Sequence, residues 1–317
     1  MNNRILLLGG TGFVGRCIAH VLSARGYSVT VPTRRRERAR DLLLLPTVEV
    51  VERDVHDAAT LGGLCEGRDA VINAVGILQS RRGVPYGPDF ARVHVELPKK
   101  VVAACRARGV GRIVHVRALK AASDGPSMYL RSKGDGEAAI RAGEPDIAAT
   151  ILQPSVIFGP GDSFLNLFAG LARVAPLLPL ACPDARFQPV FVEDVARAAV
   201  DALGDAQSCG KTWQLCGPTV YTLRQLVEYV CRLSGLSRPV IGLSPGLSRL
   251  QAGMMELLPG GLMSRDNVDS MTLDNVCGAC VQPDVWAPTA LEAVAPGYIG
   301  RHVPREAYGS FRARAGR

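Results

Sequence analysis

The most constraining feature of this chain lies close to its first residue. A short apolar run, Arg4-Ile-Leu-Leu-Leu8, leads directly into Gly9-Gly10-Thr11-Gly12-Phe13-Val14-Gly15. Apolar residues then recur at helical spacing to about Ala24, and Gly26 supplies a stop. Strand, glycine turn and helix in that order form the setting in which such a turn binds a dinucleotide. Gly9 permits the tight turn, Gly12 lets the backbone approach a pyrophosphate, and Gly15 lets the helix pack close to the strand. Thr11, Phe13 and Val14 complete the expected cradle, where the helix start offers unpaired N–H groups and the positive end of its dipole.

The pattern continues as alternating strands and helices. Strands are expected over residues 28–31, 48–51, 70–73, 112–116 and 147–152, with helices over 90–108 and 127–141. Repeats of this kind predict an α/β fold, a Rossmann-type doubly wound parallel sheet. Past Pro154 the pattern loosens. A helix is expected over 164–174, capped by Asp162 or Ser163, then a strand over 187–192 returning to the sheet, then a helix over 195–203. The organisation expected is a dinucleotide-binding domain over 1–236, with a lobe-forming excursion near 156–186, and a smaller C-terminal lobe over 237–317. With 47% hydrophobic and 21% charged residues, the chain can bury a large core, which excludes disorder as its main state.

The acid that would mark an NAD site is missing. The second strand ends Val31-Pro32-Thr33, and Arg34, Arg35 and Arg36 follow at once. A carboxylate there would hold a ribose 2′-hydroxyl, whereas guanidinium groups clamp a 2′-phosphate. The expected cofactor is therefore NADP(H) in preference to NAD(H). Asp54, with Val55 beside it past the third strand, is placed to bond the adenine amino group. Asn73, Ala74, Val75 and Gly76, ending the fourth strand, would wall the adenine–ribose side. Pro154, ending the sixth, is a further candidate contact.

Tyr129 and Lys133 stand four residues apart on one helix face. In a reductase the tyrosine would pass a proton to or from a substrate oxygen, and the ammonium would lower its pKa by favouring the phenolate. The same lysine can hold the nicotinamide ribose. With these motifs assembled, the chain resembles the extended, atypical branch of the short-chain dehydrogenase/reductase superfamily. More closely it is similar to the bacterial family of the NADPH-binding accessory subunit of respiratory complex I. The resemblance is carried by residues 9–15, 112–120, 129–133, 152–167, 187–196 and 257–275, the last including Leu-Leu-Pro-Gly-Gly-Leu-Met-Ser-Arg-Asp-Asn. It implies a nicotinamide cofactor and a serine after the fifth strand to hold the substrate carbonyl. Arg117 occupies that place, and His94 stands where many extended members carry asparagine. The Tyr129–Lys133 pair is then expected to serve cofactor binding, with weak or absent turnover. Ser123 and Ser127 are the candidates to replace the missing hydroxyl.

Two functions remain open at this stage. One is an NADP(H)-binding protein with a structural or regulatory role, attached to a respiratory or quinone-linked assembly. The other is an active oxidoreductase or epimerase acting on a sugar nucleotide or an apolar ketone. The net charge of +8, from 37 basic and 29 acidic residues, favours an anionic partner such as phosphate, acidic lipid or a complex subunit. No nucleic-acid module accompanies it, so nucleic acid is not expected. The longest apolar stretch, 165–182, is interrupted by Arg173, Pro176 and Pro179, so any membrane contact is expected to be peripheral. The basic tail, with Arg301, Arg305, Arg312, Arg314 and Arg317, is its natural surface. Nine scattered cysteines predict buried thiols in a reducing, cytoplasmic compartment, with the molecule cytosolic or on the inner face of the membrane. Cys277 and Cys280 form a CxxC pair without further ligands nearby, and His20, His56 and His302 lack partners at metal spacing. No metal site is expected. Cys17 is read as packed, Asp194 as a helix cap, and Met254, Met255 and Met263 as core in preference to a quinone pocket.

Overall fold

The computed structural model describes residues 3–256, 263–278, 282–283 and 286–300. The chain divides into two compact units. The first comprises Met1–Ser155, Val192–Cys216 and Cys277–Ala287. Its elements are β1 (Arg4–Leu8), α1 (Phe13–Ala24), β2 (Ser28–Thr33), β3 (Val48–Glu52), α2 (Ala58–Cys65) and β4 (Ala70–Asn73). Then follow α3 (Leu97–Arg108), β5 (Arg112–Val116), α4 (Met128–Arg141), β6 (Ala148–Pro154), α5 (Val192–Gly204) and β7 (Thr212–Leu215).

The seven strands form one sheet in the order β7-β6-β5-β4-β1-β2-β3, and every pairing is parallel. Helices α1 and α5 pack on each other, and α2, α3 and α4 pack in series. Strands covered on both faces read as continuous apolar runs. All four residues of β4 are buried, and so are four of the five in β1. The edge strand β3 is instead only partly covered, with Glu49 and Glu52 exposed and Val50 buried. Leu6, Leu8, Leu61, Val71, Leu97, Val101, Ile113 and Ile151 belong to one core cluster beneath α2 and α3. Helix ends follow local chemistry. Asp57 caps α2 by accepting from Thr60 N at 2.7 Å, Ser127 caps α4 through Leu130 N at 3.1 Å, and Gly109 ends α3 at φ +69°.

Two expectations about the sheet are corrected. Residues 187–192 do not return to it. They form the short strands Arg186–Phe187 and Val190–Phe191, which pair with Tyr221–Thr222 and Ile157–Phe158 outside the main sheet. The seventh strand is β7, parallel to β6. The first unit also closes at Cys216, not at 236, and recovers 277–287 from the C-terminal region.

That recovered segment is fastened by covalent chemistry. Cys216 and Cys277 are disulfide-bonded, against the expectation of free thiols throughout. Trp286 Nε1 donates to Cys216 O at 3.1 Å, and Gly278 N to Gln214 Oε1 at 3.3 Å, so Cys277, Gly278 and Trp286 are held at the end of β7. Cys209 is exposed, a second departure from the buried-thiol reading, and Cys280 lies outside the described residues. The second unit comprises Val156–Phe191, Gly217–Val276 and the chain from Pro288 onward. Within it, helix Phe164–Val174 packs on helix Leu223–Leu233. Of the two expected caps for the former, Asp162 serves, accepting from Leu165 N at 2.6 Å. Met254 is 65% exposed, not core. Among the described residues, no helix is long and apolar enough to cross a membrane. The Arg301–Arg317 tail and His302 lie outside the described residues.

Candidate functional site

The glycine turn lies where β1 meets α1. Gly9 has φ +80°, and a Cβ there would stand 2.8 Å from the carbonyl of Ala74. A Cβ on Gly15 would meet Gly9 O at 2.1 Å and Gly10 Cα at 2.7 Å, so only glycine lets the helix close onto the turn. Gly10, which motif spacing does not single out, is needed for contact with β2, since a Cβ there would meet Val31 Cγ1 at 2.6 Å. Gly12 differs from all three. It is exposed, and its only neighbour within 4 Å of a Cβ is Gly9 O at 3.2 Å. Packing alone does not demand glycine at that position, whereas an approaching phosphate would. Gly12 is also the N-cap of α1 and makes no side-chain cap bond, so the helix start keeps N–H groups for a ligand. Thr11, Phe13 and Val14 flank it, each partly exposed.

At the end of β2, Thr33 Oγ1 accepts from Arg35 N at 3.3 Å and shapes the turn. Arg34, Arg35 and Arg36 are exposed, and none has an ion-pair partner among the described residues. Asp54 Oδ1 accepts from His56 N at 3.0 Å, and Oδ2 lies 3.8 Å from Arg92 Nη2. Val55 packs against the core. Asn73 is buried, its Oδ1 accepting from Val75 N at 3.2 Å, and Ala74 N donates to Leu8 O at 2.9 Å. Those bonds bring the loop after β4 alongside the glycine turn. Pro154 ends β6, its carbonyl accepting from Leu119 N at 3.0 Å.

Lys133 projects from α4 toward that loop. A Cβ on Gly76 would stand 3.0 Å from Lys133 Nζ, so the ammonium lies directly over the Gly76 backbone. Lys133 is 6% exposed, and burial, aided by the charge of Arg117, lowers its pKa to about 8. The expected effect on Tyr129 is reversed. Burial pushes its phenol up to about 12, because desolvation penalises the phenolate. A turn of π-helix, Ala91–Glu96, carries His94, whose ring stacks on Phe90 at 5.1 Å and meets Tyr129 edge-on at 5.7 Å. Gly136 allows α4 this close, since a Cβ there would meet His94 O at 2.1 Å.

Arg117 points into the protein. Its guanidinium pairs with Glu137 Oε2 of α4, two turns beyond Tyr129, and Arg141 Nε reaches Glu137 Oε1 at 2.8 Å. Gln153 Nε2 lies 3.5 Å from the same carboxylate. The serine position is thus filled by a buried ion pair that offers no hydroxyl. Neither candidate substitute fits easily: Ser127 is occupied in capping α4, and Ser123 is exposed. His115 of β5 is buried, with Nδ1 lacking a partner among the described residues, and burial holds its pKa near 3. Cys17 is packed, its thiol pushed to about 11 by burial. Asp194 pairs with Arg197 at 2.5 Å across one turn of α5. Among the described residues, no three His, Cys, Asp or Glu side chains group as metal ligands do.

The residues present fit a dinucleotide. The open Gly12, the uncapped helix start and the buried ammonium over Gly76 are features that a pyrophosphate and a nicotinamide ribose would require. Comparison with known proteins agrees with this geometry. The solved dTDP-glucose 4,6-dehydratase DesIV from Streptomyces venezuelae, a double mutant with NAD bound, shares the fold at a TM-score of 0.67 and 22% identity, over 77% of this chain and 85% of that one. The alpha subcomplex subunit 9 of mitochondrial NADH dehydrogenase [ubiquinone] 1 from Mus musculus is 34% identical over 230 residues, 71% of this chain. This chain spans only 59% of that relative's length. A ceramide reductase from Caulobacter vibrioides is 33% identical over 66% of this chain and 67% of its own length. Residues 5–216, which include the glycine turn and the Tyr129–Lys133 helix, match the model of the NAD dependent epimerase/dehydratase family, and the chain belongs to that family.

Proposed function

We propose that this chain binds NADP(H) as a lasting cofactor, turns it over weakly or not at all, and works attached to a respiratory or quinone-linked assembly. The observation that carries the reading is the buried Arg117–Glu137 pair at the place where a carbonyl-holding hydroxyl is needed. A proton donor without that neighbour leaves a substrate oxygen unheld, and stabilising the developing oxyanion supplies much of the rate enhancement in such catalysis. The choice of NADP(H) rests on Arg34, Arg35 and Arg36, exposed at the end of β2 without an ion-pair partner among the described residues, and on the absence of an acid there. Attachment rests on the likeness to a subunit of mitochondrial NADH dehydrogenase and on the net charge of +8.

A second reading is an active reductase or epimerase, on a sugar nucleotide or an apolar ketone. It is favoured by Lys133 lying over Gly76 beside Tyr129, and by the likeness to a ceramide reductase. In a reductase, bound NADPH would supply a hydride to the ketone; in an epimerase, the oxidised cofactor would take a hydride from the sugar and return it, with no net change in the cofactor. One assay separates them. The full chain is loaded with NADPH, and nicotinamide absorbance is followed with apolar ketones and sugar nucleotides. Retention of reduced cofactor with the ketones, together with no epimerised sugar nucleotide from the chain loaded with oxidised cofactor, supports the first reading. Rapid oxidation or epimerisation, lost in Tyr129→Phe, supports the second.

A further inference from the structure

His94 sits between two elements of the candidate site, and its ring is hydrogen-bonded at both nitrogens. Ile77 N lies 3.1 Å from Nε2, and Ser132 Oγ lies 2.8 Å from Nδ1. Ser132 Oγ also donates to Tyr129 O at 2.8 Å. The direction of this chain follows from elementary chemistry. A backbone N–H can only donate, so Nε2 must be the accepting nitrogen. The ring proton then resides on Nδ1 and is given to Ser132 Oγ, whose own proton goes to Tyr129 O. Each donor is used once, and no other tautomer satisfies all three contacts.

From this geometry we infer that His94 is a positioning residue, a neutral imidazole locked as the Nδ1–H tautomer, which ties the loop after β4 to α4 and so sets Lys133 over Gly76. The inference rests on the dinucleotide reading for its consequence, though not for its geometry. Protonating the ring would set a second donor against Ile77 N–H and place another cation among buried groups. The titratable groups facing it are Lys133 and Tyr129 of α4 and His115 of β5. Burial, reinforced by Lys133 and His115, lowers the His94 pKa to about 2, in keeping with a ring that stays neutral. Stacking on Phe90 and edge contact with Tyr129 hold the ring plane, so rotation cannot exchange the two nitrogens cheaply.

Three measurements test this on the full chain. Imidazole nitrogen NMR of the unaltered protein should show Nδ1 protonated and Nε2 unprotonated, unchanged from about pH 5 to 8, the range in which a free histidine titrates. His94→Phe keeps the ring contacts and removes both hydrogen bonds. It should speed amide exchange of Ile77 about tenfold, as the loss of one buried bond implies, without changing the amides of β4. His94→Gln, whose Oε1 can accept from Ile77 N, should restore that protection. NADPH affinity should fall about tenfold in His94→Phe and recover in His94→Gln. A ring that titrates in that range, an Nε2–H tautomer, or unchanged Ile77 exchange in His94→Phe would each overturn the inference. If the unaltered protein fails to bind NADPH, the proposed function falls, while the tautomer and exchange data still decide the role of His94.

Discussion

Arg117→Ser both restores the missing hydroxyl and removes half of a buried ion pair, so its cost can be worked from the contacts. The two side chains are 8% and 13% exposed. Removing one member of a buried pair typically costs about 3–5 kcal/mol, because the other charge is stranded. Here Glu137 is not stranded, since Arg141 Nε stays at 2.8 Å and Gln153 Nε2 at 3.5 Å. The substitution also removes Arg117 Nε, which is buried without a partner among the described residues. Both effects reduce the loss to about 1–3 kcal/mol. Glu137→Gln should cost more, about 3–5 kcal/mol, because it leaves the Arg117 charge buried without its carboxylate. The double substitution should recover part of that loss. Urea unfolding of the three variants checks the order, and nicotinamide absorbance checks whether Arg117→Ser raises turnover on carbonyl or sugar-nucleotide substrates. If Glu137→Gln costs less than Arg117→Ser, the account of the ion pair is refuted. If Arg117→Ser folds, binds NADPH and turns over no faster, the missing hydroxyl is not what limits the chemistry.

Replacing both Arg34 and Arg35 by alanine should weaken NADPH binding by about 1–3 kcal/mol and leave NADH unchanged, and calorimetric titration with both cofactors checks this. Equal affinity of the unaltered protein for the two would refute the phosphate clamp. Gly12→Ala should reduce NADPH affinity with little change in thermal midpoint. Gly15→Ala, whose Cβ would lie 2.1 Å from Gly9 O, should lower the midpoint sharply. Lys133 has an ordinary pKa of 10.5 and about 8 in the fold, so between these values the unfolded chain holds a proton that the folded chain has released. Stability should therefore rise with pH from 8 to 10, by about 2 kcal/mol, and the rise should vanish in Lys133→Met. Above pH 10 the folded state retains the Tyr129 proton, held near 12, while the unfolded state loses it, so stability should fall again. Finally, the protein should sediment with native membranes at low salt and leave them at high salt, and removal of residues 301–317 should abolish the association. Solubility at low salt would dismiss attachment, and resistance to high salt would dismiss its electrostatic basis.

The sequence by itself determined what depends on neighbours along the chain. The glycine turn was legible because the positive φ of Gly9 and the closure of Gly15 onto Gly9 are matters of geometry within seven residues. Strands such as β1 and β4 were legible because buried parallel strands are plain apolar runs, and the others because short β-branched segments recur between helices. The lack of an acid after β2 and of a serine at Arg117 could likewise be read directly. Only the tertiary structure decided which distant groups meet. Residues 187–192 and 212–215 are both short segments of mixed polarity, and no local signal says which of them joins the main sheet; pairing with β6 settles it. Cys216 and Cys277 lie 61 residues apart, so counting cysteines gave no hint of their bond. Helical spacing placed Lys133 beside Tyr129, yet it could not show the burial that raises the phenol to about 12. Arg117 shows the same division: its sequence position reveals a lost hydroxyl, but Glu137, twenty residues on, becomes its partner only when α4 is laid against the sheet. Residue type and spacing set local conformation; the balance of desolvation, charge and pairing is a property of the folded interior.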